Sequence, residues 1–207
     1  MEGECIYKII LVGDTNVGKT TFFKHIQCKY NDNNNFQSTV GIDFSVFHKI
    51  NNDTHIKINL WDTAGQEKYK SLIKTYFRDA CGYILMFDLN NMSSFESVKG
   101  WLNDIEHTNT CNHSHPILLI GNKKDLEIKV DATYIEHLVE YKNIIYTEVS
   151  LKEQENVDVI FKLLLDEIYH TLYNQSIKCN GLKRRDTYTH NSITLKTQNE
   201  DRKKCCK

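Results

Sequence analysis

Apolar residues recur along this chain with two different spacings. Short apolar runs bounded by turn residues predict strands, and apolar residues three and four apart predict amphipathic helices. The predicted strands are Cys5–Val12, Ile42–Ile50, His55–Trp61, Gly82–Asp88, Ile117–Gly121 and Ile144–Val149. The predicted helices are Gly18–Cys28, Ser93–Thr108, Asp131–Lys142 and Asn156–Tyr173, with a weaker helix before Tyr76. Asp131 and either Ser93 or Ser94 are the expected N-caps.

The order of these elements predicts the architecture. Strands that alternate with helices are typical of a mostly parallel sheet with helices on both faces. Ile42–Ile50 and His55–Trp61 are joined by a short turn-rich segment, so this hairpin adds one antiparallel edge strand. We therefore expect an α/β domain over residues 1–173, with a mostly parallel six-stranded sheet. Ligands of such domains bind at the carboxyl ends of the strands.

Net charge divides the chain after residue 173. Residues 174–207 hold nine Lys or Arg and three Asp or Glu, a net charge of +6; the whole chain carries −1, so the preceding residues carry −7. The tail has few apolar residues before Cys205-Cys206-Lys207 and is predicted to be disordered. The near-neutral total gives no indication of a nucleic-acid partner.

The number of cysteines and the length of the apolar runs indicate the cellular compartment of the protein. Seven cysteines are odd in number and lack a disulfide-framework spacing, which is typical of a reduced, cytosolic compartment. We expect no signal peptide, and the apolar runs are far shorter than the roughly 20 residues of a membrane helix. His107, Cys111, His113 and His115 fall within nine residues, but their spacing fits no structural zinc pattern. A solvated surface loop is expected there.

Gly13–Thr20, Gly-Asp-Thr-Asn-Val-Gly-Lys-Thr, lies between a predicted strand and a predicted helix. A glycine, four residues and then Gly-Lys-Thr is the pattern of a loop whose backbone N–H groups bind phosphate oxygens. Lys19 is placed to reach the outer phosphates, and the Thr20 hydroxyl to ligate Mg²⁺. The nucleotide contacts expected here are Thr15, Asn16, Val17, Gly18, Lys19, Thr20 and Thr21.

Asp62-Thr63-Ala64-Gly65-Gln66-Glu67 follows the predicted strand that ends at Trp61. A carboxylate at this strand end is placed to hold Mg²⁺ through its water, so Asp62 is a candidate metal residue. Glycine at position 65 lets the Gly65 N–H approach a γ-phosphate closely, and Gln66 is placed to orient an attacking water. Gln66 and Lys19 are therefore the candidate catalytic residues.

Asn122-Lys123-Lys124-Asp125 follows the predicted strand that ends at Gly121. A carboxylate at Asp125 can accept two hydrogen bonds from the guanine ring N–H and exocyclic amine, whereas adenine offers no such pair. Asn122, Lys123 and Asp125 are therefore predicted contacts of a guanine nucleotide. An adenine-nucleotide enzyme is the alternative, and it is excluded if Asp125→Asn abolishes bound guanine nucleotide.

Further segments carry a resemblance to a known family. Val40-Gly41-Ile42-Asp43-Phe44, Tyr76-Phe77-Arg78 and Ile84-Leu85-Met86-Phe87-Asp88 are, with the motifs above, similar to those of Ras-superfamily small GTPases, and among them the Rab family. The resemblance covers Tyr7–Tyr173 and implies a P-loop NTPase small G domain. It further implies GTP binding and hydrolysis with Mg²⁺, and a GTP/GDP switch that acts in vesicle trafficking.

The resemblance also assigns roles outside these motifs. It makes Thr39 the residue that binds Mg²⁺ and senses the γ-phosphate. Ser150, Leu151 and Lys152 resemble the family's guanine-contacting segment, and Phe44, Trp61 and Tyr76 its effector-binding aromatic patch. Ordinary packing is the alternative for that patch. Tyr30 is the candidate aromatic beside the guanine and Phe36 the alternative, because the Lys19–Thr39 spacing is longer than expected and holds four Asn.

Several positions depart from the family pattern. Thr15 stands where Gly or Ser is usual, and a branched side chain near the γ-phosphate would crowd Gln66 and slow hydrolysis. A non-hydrolysing, GTP-gated scaffold is therefore the alternative function. Leu151 stands where the family has Ala, but the expected contact there is a backbone N–H, which either residue provides. Asp79 stands where the family has Gly, after the weaker helix predicted before Tyr76. No Arg precedes Thr39 in its loop, so a GTPase-activating protein is expected to supply the missing charge; effectors and an exchange factor follow from the same resemblance.

The end of the chain resembles a lipidation site. Cys205 and Cys206, behind Arg202-Lys203-Lys204, are similar to a dual geranylgeranylation motif. Stable anchoring needs two lipid chains, or one chain with basic residues, and the tail offers both. A free or palmitoylated pair is the alternative. The resemblance implies the cytoplasmic face of an intracellular membrane, with cycling through the cytosol on a GDP-dissociation inhibitor.

Overall fold

The computed structural model describes residues 5–27, 39, 41–51, 54–65, 70–108, 115–153 and 157–180. The strands are β1 (Cys5–Val12), β2 (Ile42–Asn51), β3 (Thr54–Thr63), β4 (Gly82–Asp88), β5 (Ile117–Asn122) and β6 (Ile145–Glu148). The helices are α1 (Lys19–Ile26), α2 (Lys70–Tyr76), α3 (Met92–Thr108), α4 (Ala132–Lys142) and α5 (Val157–Asn180).

The six strands form one sheet in the order β2-β3-β1-β4-β5-β6. All neighbouring pairs are parallel except β2 and β3, whose antiparallel register places Phe44 opposite Trp61. This arrangement confirms the predicted mostly parallel sheet with one antiparallel edge strand. Because β1, β3, β4 and β5 run in the same direction, their carboxyl ends lie along one edge of the sheet. The phosphate loop, Asp62 and Asn122 are thereby brought to that edge.

Apolar side chains fill both faces of the sheet. On β1, Ile9 and Leu11 pack into the layer formed with α1 and α5, whereas Ile10 and Val12 pack into the layer formed with α2, α3 and α4. All four are fully buried. A strand covered on both faces reads as a continuous apolar run, which is why β1 lacks polar alternation. The two layers hold β1, and with it the start of the phosphate loop, in the centre of the molecule.

Several element boundaries differ from the predictions by one or more residues, and two of these differences have a local reason. Strand β3 continues past Trp61 to Thr63, because Asp62 and Thr63 remain paired with β2. Helix α3 begins at Met92, and the Asn91 side chain accepts a hydrogen bond from the Ser93 N–H at 3.1 Å. The prediction that Ser93 or Ser94 caps α3 was therefore wrong, and an asparagine makes the cap.

The last two helices agree with the predictions at their first turns. Asp131 caps α4, since its carboxylate accepts a hydrogen bond from the Thr133 N–H at 2.9 Å. Helix α5 begins at Val157 and continues beyond the predicted end at Tyr173 to Asn180. Residues 181–207, which hold most of the predicted tail, lie outside the described part of the chain. Within the part described, no helix combines the length and apolar character needed to span a membrane.

Candidate functional site

The loop over residues 13–20 joins β1 to α1 and depends on two glycines. Gly13 and Gly18 have φ angles of +136° and +106°, in the region that only glycine adopts readily. A Cβ at Gly13 would lie 2.2 Å from the Met86 carbonyl oxygen, and one at Gly18 would lie 2.2 Å from Asn122 Nδ2. The backbone therefore takes a concave path that other residues would obstruct, as a phosphate-binding loop requires.

The Lys19 side chain spans the mouth of this loop. Its Nζ donates to the carbonyl oxygens of Gly13 and Asp14, at 2.8 and 2.7 Å. Lys19 is 5% exposed. Burial lowers its pKa to about 8, while the Asp62 and Asp14 carboxylates oppose that shift. A desolvated cation at this place is ready to pair with an anion, because water screens it poorly.

Three oxygen-bearing side chains meet beside Lys19. Thr20 Oγ1 donates to Asp62 Oδ2 at 2.6 Å, and it lies 2.6 Å from Thr39 Oγ1. Asp62 is fully buried, and that burial raises its pKa to about 6, against the opposing effects of the Thr20 hydrogen bond and the Lys19 charge. The second carboxylate oxygen, Asp62 Oδ1, is buried without a hydrogen-bond partner in the part of the chain described.

This cluster fits a bound divalent cation. Two hydroxyls and a carboxylate are the hard oxygen ligands that Mg²⁺ prefers. Buried polar atoms are rarely left unpaired, so the orphaned Asp62 Oδ1 indicates a group that the protein side chains do not supply. The structure thus brings together Thr20, Thr39 and Asp62, the three residues predicted to hold the metal. Their role as ligands stays a prediction.

The end of β3 meets the phosphate loop at Gly65. A Cβ there would lie 2.4 Å from both Asp14 C and Thr15 N, so the two backbones are in direct contact. The Thr63 hydroxyl strengthens the same junction by donating to the Leu11 carbonyl at 2.6 Å. Gly65 therefore lies where a phosphate held by the loop would be close. Gln66, the predicted water-orienting residue, lies outside the described residues.

Asn122 connects three loops at the carboxyl edge of the sheet. Its Nδ2 donates to the Val17 carbonyl at 2.8 Å, and its Oδ1 accepts from the Leu151 N–H at 3.3 Å. Asn122 is 4% exposed, so both bonds are protected from water. In the structure the Leu151 N–H holds these loops together, and its predicted contact with guanine stays a prediction.

The Asp125 carboxylate is oriented by its neighbours. The Ser150 hydroxyl donates to Asp125 Oδ1 at 2.8 Å, and Lys152 Nζ lies 3.9 Å from Asp125 Oδ2. The Asp125 side chain is 12% exposed, whereas that of Lys152 is 81% exposed. A fixed, largely shielded carboxylate is suited to accept two parallel N–H donors, as predicted from the sequence.

Lys123 has a partner that the sequence motifs did not identify. Its Nζ lies 2.7 Å from Asp88 Oδ2, and its backbone has a φ of +65°. The Asp88 side chain is 11% exposed and ends β4, directly beside β5. The signal in the sequence was an acidic residue at the carboxyl end of a fully apolar strand.

The predicted aromatic patch is a physical cluster. The ring centroids of Phe44 and Trp61 lie 4.5 Å apart, and those of Trp61 and Tyr76 lie 5.3 Å apart. Phe44 is 44% exposed, and the other two are half-buried. The three residues lie on β2, β3 and α2, so the patch takes residues from before and after the segment that follows Asp62 in the chain. Its binding role stays a prediction.

The remaining predicted residues lie in the phosphate loop, on α1 or outside the described ranges. Thr15, Asn16 and Thr21 belong to the phosphate loop and first turn of α1. The residues that lie outside the described ranges are Tyr30, Phe36, Gln66, Cys111, His113, Cys205 and Cys206. His115 packs edge-on against Tyr83, with ring centroids 6.2 Å apart. Among the described residues, no cluster of three or more His, Cys, Asp or Glu could hold a metal.

Comparisons with known proteins agree with this geometry. The model of the Ras family matches residues 8–170. The Ras-related protein RabC of Dictyostelium discoideum is 36% identical over 189 residues, covering 88% of this chain and 93% of the relative. The Ras-related protein Rab-3A of Homo sapiens is 38% identical over 166 residues, covering 79% and 74%. The Ras-related protein Rab-5B of Plasmodium falciparum is 35% identical over 164 residues, covering 78% and 77%.

Proposed function

Since this chain belongs to the Ras family of small GTPases, and within it to the Rab group, we propose that it is a membrane-anchored switch of intracellular vesicle trafficking. Members of the family hydrolyse GTP and alternate between GTP-bound and GDP-bound states, and the chain is a GTP hydrolase of this kind.

The observation that carries the proposal is the meeting of Thr20, Thr39 and Asp62 beside the Lys19 ammonium. Thr20 and Thr39 would hold Mg²⁺ through their hydroxyls, and Asp62 would hold it through a water or directly. When bound, Mg²⁺ offsets negative charge on the outer phosphates. Asp62 Oδ1 supports this assignment, because a buried and unpaired carboxylate oxygen calls for a cation.

Base selection rests on the Asp125 carboxylate. Ser150 and Lys152 orient it, and Asn122 fixes the loop that carries it against the phosphate loop. Guanine would satisfy both carboxylate oxygens with its ring N–H and adjacent amine, whereas adenine has an acceptor nitrogen and a C–H at the same positions and would leave the shielded carboxylate without donors. The site therefore favours GTP and GDP over adenine nucleotides.

Hydrolysis is assigned to a small number of groups. Lys19 stabilises charge that develops on the transferred phosphoryl group, because its ammonium is desolvated and fixed before the reaction. The Gly65 N–H approaches the γ-phosphate, and Gln66 orients the attacking water in line with the bond that breaks. The loop before Thr39 has no Arg, so a GTPase-activating protein supplies a further positive charge.

Nucleotide state is communicated through Thr39 and the aromatic patch of Phe44, Trp61 and Tyr76. Thr39 contacts the metal cluster, and the residues after Asp62 lead into α2, which carries Tyr76. A γ-phosphate that orders both segments would present the patch to effectors, and its loss would release them. Exchange factors reload the protein with GTP.

Cys205 and Cys206 are the proposed geranylgeranylation sites. Two prenyl chains with a tail of net charge +6 would anchor the protein to the cytoplasmic face of an anionic membrane. A GDP-dissociation inhibitor would extract the GDP form into the cytosol. Tagged wild type should concentrate on intracellular membranes, and a Cys205→Ser/Cys206→Ser variant should become cytosolic. A double variant that stays on the same membranes would contradict the anchor.

Single-turnover phosphate release tests the catalytic assignment. Wild type and Gln66→Leu are loaded with radiolabelled GTP, and phosphate is followed with and without an activating protein. We expect roughly 100-fold slower release from Gln66→Leu in the presence of the activator, since a positioned group of this kind typically contributes 10²–10⁴ in rate. Equal rates for the two proteins under both conditions would refute the role of Gln66 and favour a scaffold that works by binding alone.

A further inference from the structure

Trp101 has no part in the motifs described above, yet its side chain reaches the nucleotide site. It lies on α3, is 2% exposed, and donates its indole Nε1–H to Asp14 Oδ1 at 2.8 Å. Asp14 belongs to the phosphate loop and lies 87 residues away in the chain. We propose that Trp101 is a positioning residue for nucleotide binding, which holds the Asp14 carboxylate against α3 and thereby fixes the phosphate loop.

An acidic side chain in a phosphate-binding loop presents an electrostatic problem. Nucleotide phosphates are anionic, and like charges repel strongly where water is excluded. Burial lowers the pKa of Lys19, and the Asp14 carboxylate acts against that shift, while Lys19 Nζ donates to the Asp14 carbonyl at 2.7 Å. The Asp14 carboxylate therefore lies beside the cation that is to bind phosphate. A hydrogen bond from the indole holds the carboxylate in one rotamer and delocalises part of its charge. Asp14 is thereby kept from competing with phosphate for Lys19.

The same hydrogen bond fixes the loop backbone. The Asp14 carbonyl oxygen accepts the Lys19 hydrogen bond at 2.7 Å. A Cβ on Gly65 would lie 2.5 Å from that oxygen, so the loop has no room to shift toward β3. A change in the Asp14 backbone would therefore disturb both the lysine that binds phosphate and the glycine that approaches it.

Helix α3 is a rigid support for the indole. Its apolar face, which includes Trp101, is buried against the sheet. Ion pairs also join it to the neighbouring helices: Asp104 to Lys74 of α2 at 2.7 Å, and Glu106 to Lys142 of α4 at 2.6 Å. Groups presented from fixed elements position a site more accurately than groups on loops. Trp101 thus connects the Asp14 side chain of the phosphate loop to a helix that the core holds in place.

The test measures release of radiolabelled GDP from the full chain in Mg²⁺ buffer, and it rests on the proposed guanine-nucleotide site. Trp101→Phe keeps an aromatic ring and removes the N–H donor, and we expect about 10-fold faster GDP release because a hydrogen bond to a charged acceptor is lost. Adding Asp14→Asn should lower GDP release from about 10-fold to about fivefold faster than wild type, since the side chain is then uncharged although the hydrogen bond is still absent. High salt should reduce the effect of the single variant.

The control is Tyr146→Phe, which also removes one hydrogen bond, from Tyr146 Oη to Glu148, while keeping a ring in the core. It should leave the GDP release rate unchanged. Wild-type release from Trp101→Phe, or a double variant as fast as the single one, would overturn the inference, because mere repacking would not respond to the charge of Asp14. A wild type that binds no GDP or GTP would instead contradict the proposed function.

A second pair of variants covers the case in which Trp101→Phe does not fold. Asp14→Asn keeps an acceptor oxygen for the indole, whereas Asp14→Ala removes it. We expect wild-type GDP release, within about twofold, from the Asn variant and about fivefold faster release from the Ala variant, since only the latter breaks the hydrogen bond. Equal release rates from the two variants would refute the positioning role.

Discussion

Gly65→Ala tests the contact between the end of β3 and the phosphate loop. The added methyl carbon would lie 2.4 Å from Asp14 C and Thr15 N, and ordinary contacts begin near 3.4 Å. One backbone segment must therefore move by about 1 Å, because neither neighbour is a flexible side chain. Overpacking of this kind costs about 1–3 kcal/mol. Since the displaced groups face the proposed γ-phosphate position, we expect about 5- to 150-fold weaker GTP binding.

The measurement is titration calorimetry with GDP and with a non-hydrolysable GTP analogue, on protein stripped of nucleotide. The affinity loss should be larger for the GTP analogue, because Gly65 is assigned to the γ-phosphate alone. Gly82→Ala is the matched control: its methyl would lie 2.7 Å from Ile168 Cδ1, at the end of the sheet away from the site. It should lower stability and leave both affinities within twofold. Unchanged affinities in Gly65→Ala would refute the reasoning.

Three further predictions follow from other contacts. Asp79 has a φ of +59°, so Asp79→Gly should raise the unfolding free energy by roughly 1 kcal/mol and Tm by a few degrees in calorimetry. Asn122→Ala leaves the Val17 carbonyl and Leu151 N–H unpaired, and should weaken GDP binding by roughly 2–4 kcal/mol in equilibrium titrations. Burial raises the Asp62 pKa to about 6, so without metal and nucleotide its stabilising contribution is complete below pH 3.8 and is lost as pH rises through 6. Relative to Asp62→Asn, urea titrations should show wild type losing about 2 kcal/mol of unfolding free energy between pH 4 and 7; an unchanged difference would contradict the shift.

Local sequence patterns were sufficient to predict the fold and the main residues of the phosphate loop. Short strand-like runs predicted all six strands, and for the central strands β1 and β4 burial on both faces of the sheet leaves a continuous apolar signature. The phosphate loop was readable from Gly13 to Thr20 because close approach to phosphate requires glycine at fixed spacings. Boundaries were less accurate: Asn91, and not a serine, caps α3, since several polar residues before a helix are equally capable of capping.

Contacts between distant residues were decided by the tertiary structure alone. The sequence determined that Lys19, Asp62 and Asp125 follow strands whose ends meet at one edge, because strand direction follows from the order of the elements. It did not determine that Trp101 donates to Asp14 or that Asn122 joins three loops. Those bonds depend on the angles at which helices and loops pack against the sheet. Such angles follow from the packing of the whole core, which no short segment of the chain encodes.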